Sequence, residues 1–204
     1  DAGQPYQAAI LAINPIDGRP YVAYRRFAKD MTDAIMLCWA ERKGKETVEG
    51  YWHGNIKFSK PMVLAEIAPF DQPTSEITFR TNDYPTMTID KYGVIYVAWS
   101  QRGRGPSGEG KIMMMTSANG GVTWQGPAPV DDPLLSGYEF MPSLTSGAGK
   151  VMMLWYDQQY DVCGHFGDEY IQEIYPIRHT IDVRAAEVHP IPNPYFSYET
   201  IPVS

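Results

Sequence analysis

The chain has 204 residues, is 44% hydrophobic and 20% charged, and carries a formal net charge of −7. That make-up describes a folded chain able to bury a core of its own, and one domain is the expectation. The acidic balance, with an isoelectric point near 5.0, excludes the dense Lys and Arg that nucleic acid or an anionic membrane requires. Apolar runs such as 94–99 are far too short to span a bilayer. The 14 Tyr, 5 Trp and 7 Phe, set among 18 Gly and 17 Pro, suit many short strands joined by many turns. The chain opens at Asp1 without a legible targeting segment, which reads as a processed product or a fragment. Cys38 and Cys163 lie far apart and either pair or stay free, and Cys38 sits in an apolar run that reads as a buried strand.

Helix periodicity is scarce, and apolar runs punctuated by Gly, Pro, Asn and Asp predict strands. In chain order, 8–13 (AAILAI) is followed by 18–24 (GRPYVAY), then by 34–39 (AIMLCW) and 61–67 (PMVLAEI). The plan then recurs. Residues 85–90 (PTMTID) precede 93–99 (GVIYVAW), 111–117 (KIMMMTS) and 126–130 (GPAPV). A third round runs through 142–147 (PSLTSG), 149–155 (GKVMMLW), 180–188 (TIDVRAAEV) and 196–203 (FSYETIPV). Each round has a turn glycine with an aromatic six places on: Gly18 and Tyr24, Gly93 and Trp99, Gly149 and Trp155. The expectation is one all-β domain of three four-stranded antiparallel units, about 8–70, 84–132 and 141–204. Four strands in ~40–50 residues, repeated in tandem, is the plan of a β-propeller blade. Unbroken apolar runs such as 94–99 fit strands covered on both faces. A β-sandwich is the alternative, and the shared glycine-to-aromatic spacing favours the propeller.

Residues 117–124 (SANGGVTW) lie between the third and fourth strands of the middle unit. Asn119-Gly120-Gly121 predicts a tight turn, since two successive positions accept positive φ. The Asn119 side chain can accept turn N–H groups, Ser117 can cap locally, and Trp124 is returned to the apolar layer. That describes a structural turn, not a catalytic loop.

Ser117, Asn119, Gly121 and Trp124 resemble the Asp-box, the Ser-x-Asp-x-Gly-x-x-Trp turn of sialidases and related propellers, with Asn in place of Asp. Residues 85–101 and 141–158, and 178–188 after them, are similar to segments of bacterial sialidase-like proteins. The resemblance covers the three units loosely and 85–157 best. It implies a six-bladed ring of which about three blades, half the ring, are present here. The remaining blades are expected from another part of the same precursor, a separate chain or a second copy, with the first preferred, packed along open sheet edges. The end of the chain at 201–204 (IPVS) reads as a stop within a strand. The resemblance also implies a secreted, periplasmic or cell-surface location. A sialidase of this family would hold its substrate carboxylate on three arginines, beside a Tyr nucleophile, a Glu base and an Asp acid, in the two-step logic of retaining glycosidases. The family's Arg-Ile-Pro motif is absent. Arg19-Pro20 is a poor substitute, and Arg80, Arg178 and Arg184 match no member of the triad. Tyr138-Glu139 and Tyr156-Asp157 set phenol beside carboxylate, but neighbours in a strand point to opposite faces.

No catalytic residue is therefore assigned. The long segment 157–174 gathers Asp157, Asp161, Cys163, His165, Asp168 and Glu169. It reads as a solvated acidic loop or as a ligand site. Its carboxylates suit Ca²⁺ and its Cys and His a softer metal, though no spacing matches a known metal motif. Segment 41–54 places Tyr51, Trp52 and His53 together, where aromatics can stack on sugar or protein, or where Trp52 serves as the counterpart of Trp124. The leading expectation is a non-catalytic scaffold or binding module contacting protein or glycan. The alternative is an exo-alpha-sialidase or related glycoside hydrolase completed by residues outside this chain.

Overall fold

The computed structural model describes residues 5–28, 32–41, 56–69, 83–159, 181–190 and 197–201. Among the described residues the fold is all-β, with no helix. The first antiparallel sheet holds β1 (Tyr6–Ile13), β2 (Pro20–Arg26), β3 (Ala34–Glu41), β4 (Lys57–Phe58) and β5 (Met62–Glu66). The second runs β6 (Thr86–Ile89), β7 (Ile95–Gln101), β8 (Lys111–Ser117), β9 (Gln125–Pro129). The third runs β10 (Glu139–Gly147), β11 (Lys150–Asp157), β12 (Asp182–Glu187), β13 (Ser197–Ile201). Each sheet is ordered as the chain runs. The two-residue β4 was not anticipated from sequence. It pairs with Ala40 and Glu41, while β5 pairs with 34–37, so the two share one edge of a β3 that neither covers alone.

The turn glycines explain the first hairpin of each sheet. Gly18, Gly93 and Gly149 all have positive φ, and in the third turn Ala148 joins Gly149 there, as a two-residue hairpin loop requires. In the second turn the Asp90 carboxylate accepts the N–H groups of Tyr92 and Val94, both at 2.9 Å. The aromatic six places on also has a structural counterpart. Opposite Tyr24 the pairing of β1 skips between Gln7 and Ile10, and opposite Trp155 that of β10 skips between Phe140 and Ser143. Both bulges contain a non-glycine residue with positive φ, Ala8 and Met141. An inserted residue bends the strand at the same register in both sheets.

The three sheets stack face to face, with the second in the middle. One buried cluster joins Tyr21, Ala23, Ile35 and Leu37 of the first sheet to Ile95, Val97, Trp99, Met113 and Met115 of the second. The other joins Tyr96, Ala98, Ile112 and Met114 of the second sheet to Leu144, Val151, Met153, Trp155 and Ala186 of the third. Alternate residues of β7 and β8 thus enter different cores, and every residue of β6, β7 and β8 is buried. Fully burying one such large side chain is worth about 1.5–3 kcal/mol. In the outer sheets the second strands, β2 and β11, instead alternate, β11 strictly. The first strands of the second and third sheets also bond directly. Leu144 N donates to Thr86 Oγ1 at 3.0 Å, and Ser146 Oγ to the Ile89 carbonyl at 2.8 Å.

Candidate functional site

The Ser117–Trp124 turn is closed by its own side chains. Gly121 N donates to Ser117 Oγ at 2.9 Å, Ser117 Oγ donates to Asn119 Oδ1 at 3.0 Å, and Thr123 N donates to the same oxygen at 2.9 Å. Asn119 Nδ2 donates to Thr123 Oγ1 at 2.7 Å, and Trp124 Nε1 to the Gly121 carbonyl at 3.1 Å. Gly120 and Gly121 both have positive φ, which a side chain there would strain. The first sheet holds the turn down. Tyr21 OH donates to the Gly120 carbonyl at 3.1 Å, and Trp124 packs on the core beneath. Every one of these contacts is internal, and the turn works as a staple between sheets.

The chemically richest place lies at the other end of β8. Ser117 pairs with the start of β7 and Lys111 with its last residue, Gln101. Lys111 Nζ donates to Glu139 Oε1 at 2.8 Å, with both side chains 1% exposed. Glu139 Oε2 accepts Ile112 N at 3.1 Å. Beside them Arg184 is paired with Asp131 at 2.9 Å and with Asp157 at 2.6 Å, and it also donates to Gln159 Oε1. Among the described residues two cations and three carboxylates are thus enclosed where the second and third sheets meet. The enclosure acts on the titration of Glu139. Burial pushes its carboxyl up to about 7, against the opposing pull of Lys111 and the Ile112 N–H and with a further push from Asp131. Burial also raises the Asp157 carboxyl, outweighing the Gln159 N–H bond and Arg184.

A smaller version recurs where the first and second sheets meet. Arg25 is paired with Asp33 at 2.5 Å and with Asp83 at 3.7 Å, and lies 4.1 Å from the centre of the Phe27 ring. The loop 102–110 leaves from this same end and is tied to itself. Gly103 N donates to the Gly108 carbonyl, and Ser107 N to a Glu109 carboxylate oxygen at 2.7 Å. At the opposite end the three hairpin turns border an open cleft of about 220 Å³, flanked by Lys91 and Lys150.

Of the residues singled out from sequence, Ser117, Asn119, Gly121 and Trp124 come together as described. Asp157 is neither solvated nor part of an open acidic loop. It ends β11 under Arg184, because the strand's alternation turns it inward and turns Tyr156 outward. Asp161, Cys163, His165, Asp168, Glu169, Tyr51, Trp52 and His53 lie outside the described residues. Among the described residues no three His, Cys, Asp or Glu side chains are grouped to hold a metal. The sequence reading missed Lys111, Asp131 and Glu139 as a group with Arg184. One signal was available: a lysine opening a strand that is apolar on both faces needs a buried acid beside it.

No protein-family model matches the sequence, and no curated protein is similar to it in sequence. The structure is similar to that of a solved protein described as Hadza microbial sialidase Hz136, with a TM-score of 0.54 and 12% identity. The match takes in 95% of this chain but 37% of that one, so the chain spans little more than a third of that protein's length. At this identity the likeness concerns the fold alone, and it makes the fold of this chain a sialidase-like β fold.

Proposed function

We propose that the chain is three four-stranded blades of a sialidase-like β-propeller, with Ser117–Trp124 as its Asp-box, and that it works as a secreted or envelope-located, non-catalytic scaffold or binding module. Its contacts with protein or glycan are made by the connections at the end of the sheets that carries the buried ion pairs, 102–110 among them. The observation that supports a non-catalytic role is the condition of the buried arginines. Arg25 already faces Asp33 and Asp83, and Arg184 already faces Asp131 and Asp157. An arginine that is to grip a substrate carboxylate must present its guanidinium fork to it. A substrate would here have to displace two carboxylates of the chain itself, and of the four only Asp33 is not fully buried.

The likeness to a sialidase structure favours a second reading, an exo-alpha-sialidase or related glycoside hydrolase whose site is completed outside these residues. Incubation of the intact protein with a fluorogenic sialoside separates the two. We expect no turnover, and release of the fluorophore above the rate of a heat-denatured control would overturn the non-catalytic reading.

A further inference from the structure

The Ser117–Trp124 turn holds the chain's one Asn-Gly pair. Asn119 precedes Gly120, while Asn14, Asn55, Asn82 and Asn193 precede Pro, Ile, Asp and Pro. An asparagine in front of glycine is well placed to react with its own backbone, because no Cβ crowds the next nitrogen. The fold then sets the amide in a particular environment. Asn119 Oδ1 accepts the Ser117 hydroxyl at 3.0 Å and Thr123 N at 2.9 Å. The hydroxyl is aimed, since Ser117 Oγ itself accepts Gly121 N at 2.9 Å and Ser117 is buried. Two donors on one carbonyl oxygen draw electrons from Cγ and stabilise the negative charge that an attack on Cγ places there.

The rest of the reaction path is also laid out. Asn119 Nδ2, which has to leave, donates to Thr123 Oγ1 at 2.7 Å, a hydroxyl able to pass it a proton. Gly120 N, which has to attack, meets no acceptor among the described residues. Asn119 is exposed, and it lines a cleft of about 140 Å³ with Gln125 and Pro190 on its other walls, so solvent reaches the amide.

We infer that Asn119 is a site of self-modification, at which the folded turn converts its own asparagine to aspartate. Gly120 N loses its proton to water and bonds to Asn119 Cγ. The Cγ–Nδ2 bond breaks, and Nδ2 takes a proton by way of Thr123 Oγ1 and departs as ammonia. A five-membered imide now joins the two residues, and water adds to one of its carbonyls. Addition at Cγ breaks the new bond to Gly120 N and leaves aspartate. Addition at the main-chain carbonyl breaks the peptide bond instead and leaves isoaspartate, with an extra methylene in the backbone. One water enters, one ammonia leaves, and nothing is oxidised. The Ser117 hydroxyl and Thr123 N–H sit on the Cγ oxygen, so they direct the water to Cγ. Aspartate also suits the turn. Its carboxylate keeps both donors, and the Thr123 hydroxyl turns from accepting to donating, a stronger bond to a charged oxygen. The Asp-box carries an acid at this position, so the conversion completes the motif after synthesis. The chemistry needs only the turn, and turnover of a sialoside by the protein would leave it standing.

The test holds the folded chain in mildly alkaline buffer, with circular dichroism to confirm the sheets, beside a sample unfolded in guanidinium chloride. Peptide mass spectrometry reads the amide-to-acid mass gain and separates aspartate from isoaspartate. The expected gain in the folded chain is confined to Asn119, with a larger aspartate share than in the unfolded chain. Ser117→Ala should slow the folded reaction about 2- to 10-fold, as one lost hydrogen bond would, and shift the product toward isoaspartate. Thr123→Val removes the hydroxyl and keeps Thr123 N, so it should slow the reaction and leave the product ratio alone. An amide that survives in the folded chain while the unfolded chain converts would overturn the inference, because the hydrogen bonds would then be guards. A Ser117→Ala variant that converts faster would do the same, and so would equal aspartate shares in the folded and unfolded samples.

Discussion

Lys111→Met tests the reading of the enclosed ion cluster. Methionine keeps most of the buried stem's packing and removes only the ammonium. In the native protein the Glu139 carboxyl is raised to about 7 by burial. A carboxyl whose folded value lies above its unfolded value favours the fold while it is protonated, and this contribution is lost as pH rises from the unfolded value toward the folded one. With about 1.36 kcal/mol per unit, the window from about 4.5 to about 7 corresponds to on the order of 3 kcal/mol. Removing Lys111 deletes two of the influences that hold this carboxyl down, its charge and its hydrogen bond. At about pH 5 the neutral Glu139 tolerates the change, and the variant should lose about 1 kcal/mol, one hydrogen bond's worth. At about pH 8 it must either bury an uncompensated charge or take up a proton against the solution, and the loss should reach about 3–5 kcal/mol. Urea unfolding followed by tryptophan fluorescence across this range supplies the numbers. Equal destabilisation at the two pH values would refute the coupling. Adding Glu139→Leu to the variant should recover much of the loss at the alkaline end, short of the acceptor that Ile112 N then lacks.

Asn119→Ala removes the oxygen that accepts both Thr123 N and the Ser117 hydroxyl. It should cost about 1–2 kcal/mol by the same unfolding assay, whereas Asn119→Asp, which keeps that acceptor, should stay close to the native protein. Burial raises the thiol of Cys38, so its reaction with a disulfide reagent near neutral pH should be slower than that of a small free thiol and should accelerate as pH rises. A rate equal to that of the free thiol would mean that β3 does not shield it.

The strands were legible because the physics that sets them is local. A turn glycine, a short apolar run and an aromatic at fixed spacing mark the same hairpin three times, and Asn119-Gly120-Gly121 names its own turn. Even the unbroken runs of β7 and β8 announced that both their faces would be covered. The ion cluster was not legible, because its members meet only in three dimensions. Lys111 and Glu139 are 28 residues apart, and Arg184 and Asp131 are 53 apart. In sequence Lys111 looks like the solvated start of an apolar strand, and Glu139 like a rim residue beside Tyr138. The bulges opposite Tyr24 and Trp155 escaped for a related reason, since pairing that skips a residue leaves no mark until the partner strand is known.

The placement of the ion pairs bears on how such a molecule would bind anything. At the contact between the first and second sheets, Arg25 near the end of β2 reaches Asp83, which leads into the second sheet. At the next contact, Arg184 reaches Asp131, which leads into the third sheet, while Lys111 crosses to Glu139 at the start of β10. The connecting backbone is fastened there as well, with Glu139 N donating to the Gly110 carbonyl and Arg102 N to the Ala68 carbonyl. Buried charges are a weak source of stability and a strong constraint on geometry, because each tolerates only the arrangement that keeps it paired. Placed at one end of the stack, they fix how each sheet hands the chain to the next. Loops rising from that end stand on a set base and lose less freedom on meeting a partner than loops on a yielding one. The apolar layers hold the sheets together along their length, and the polar end decides where the connections point.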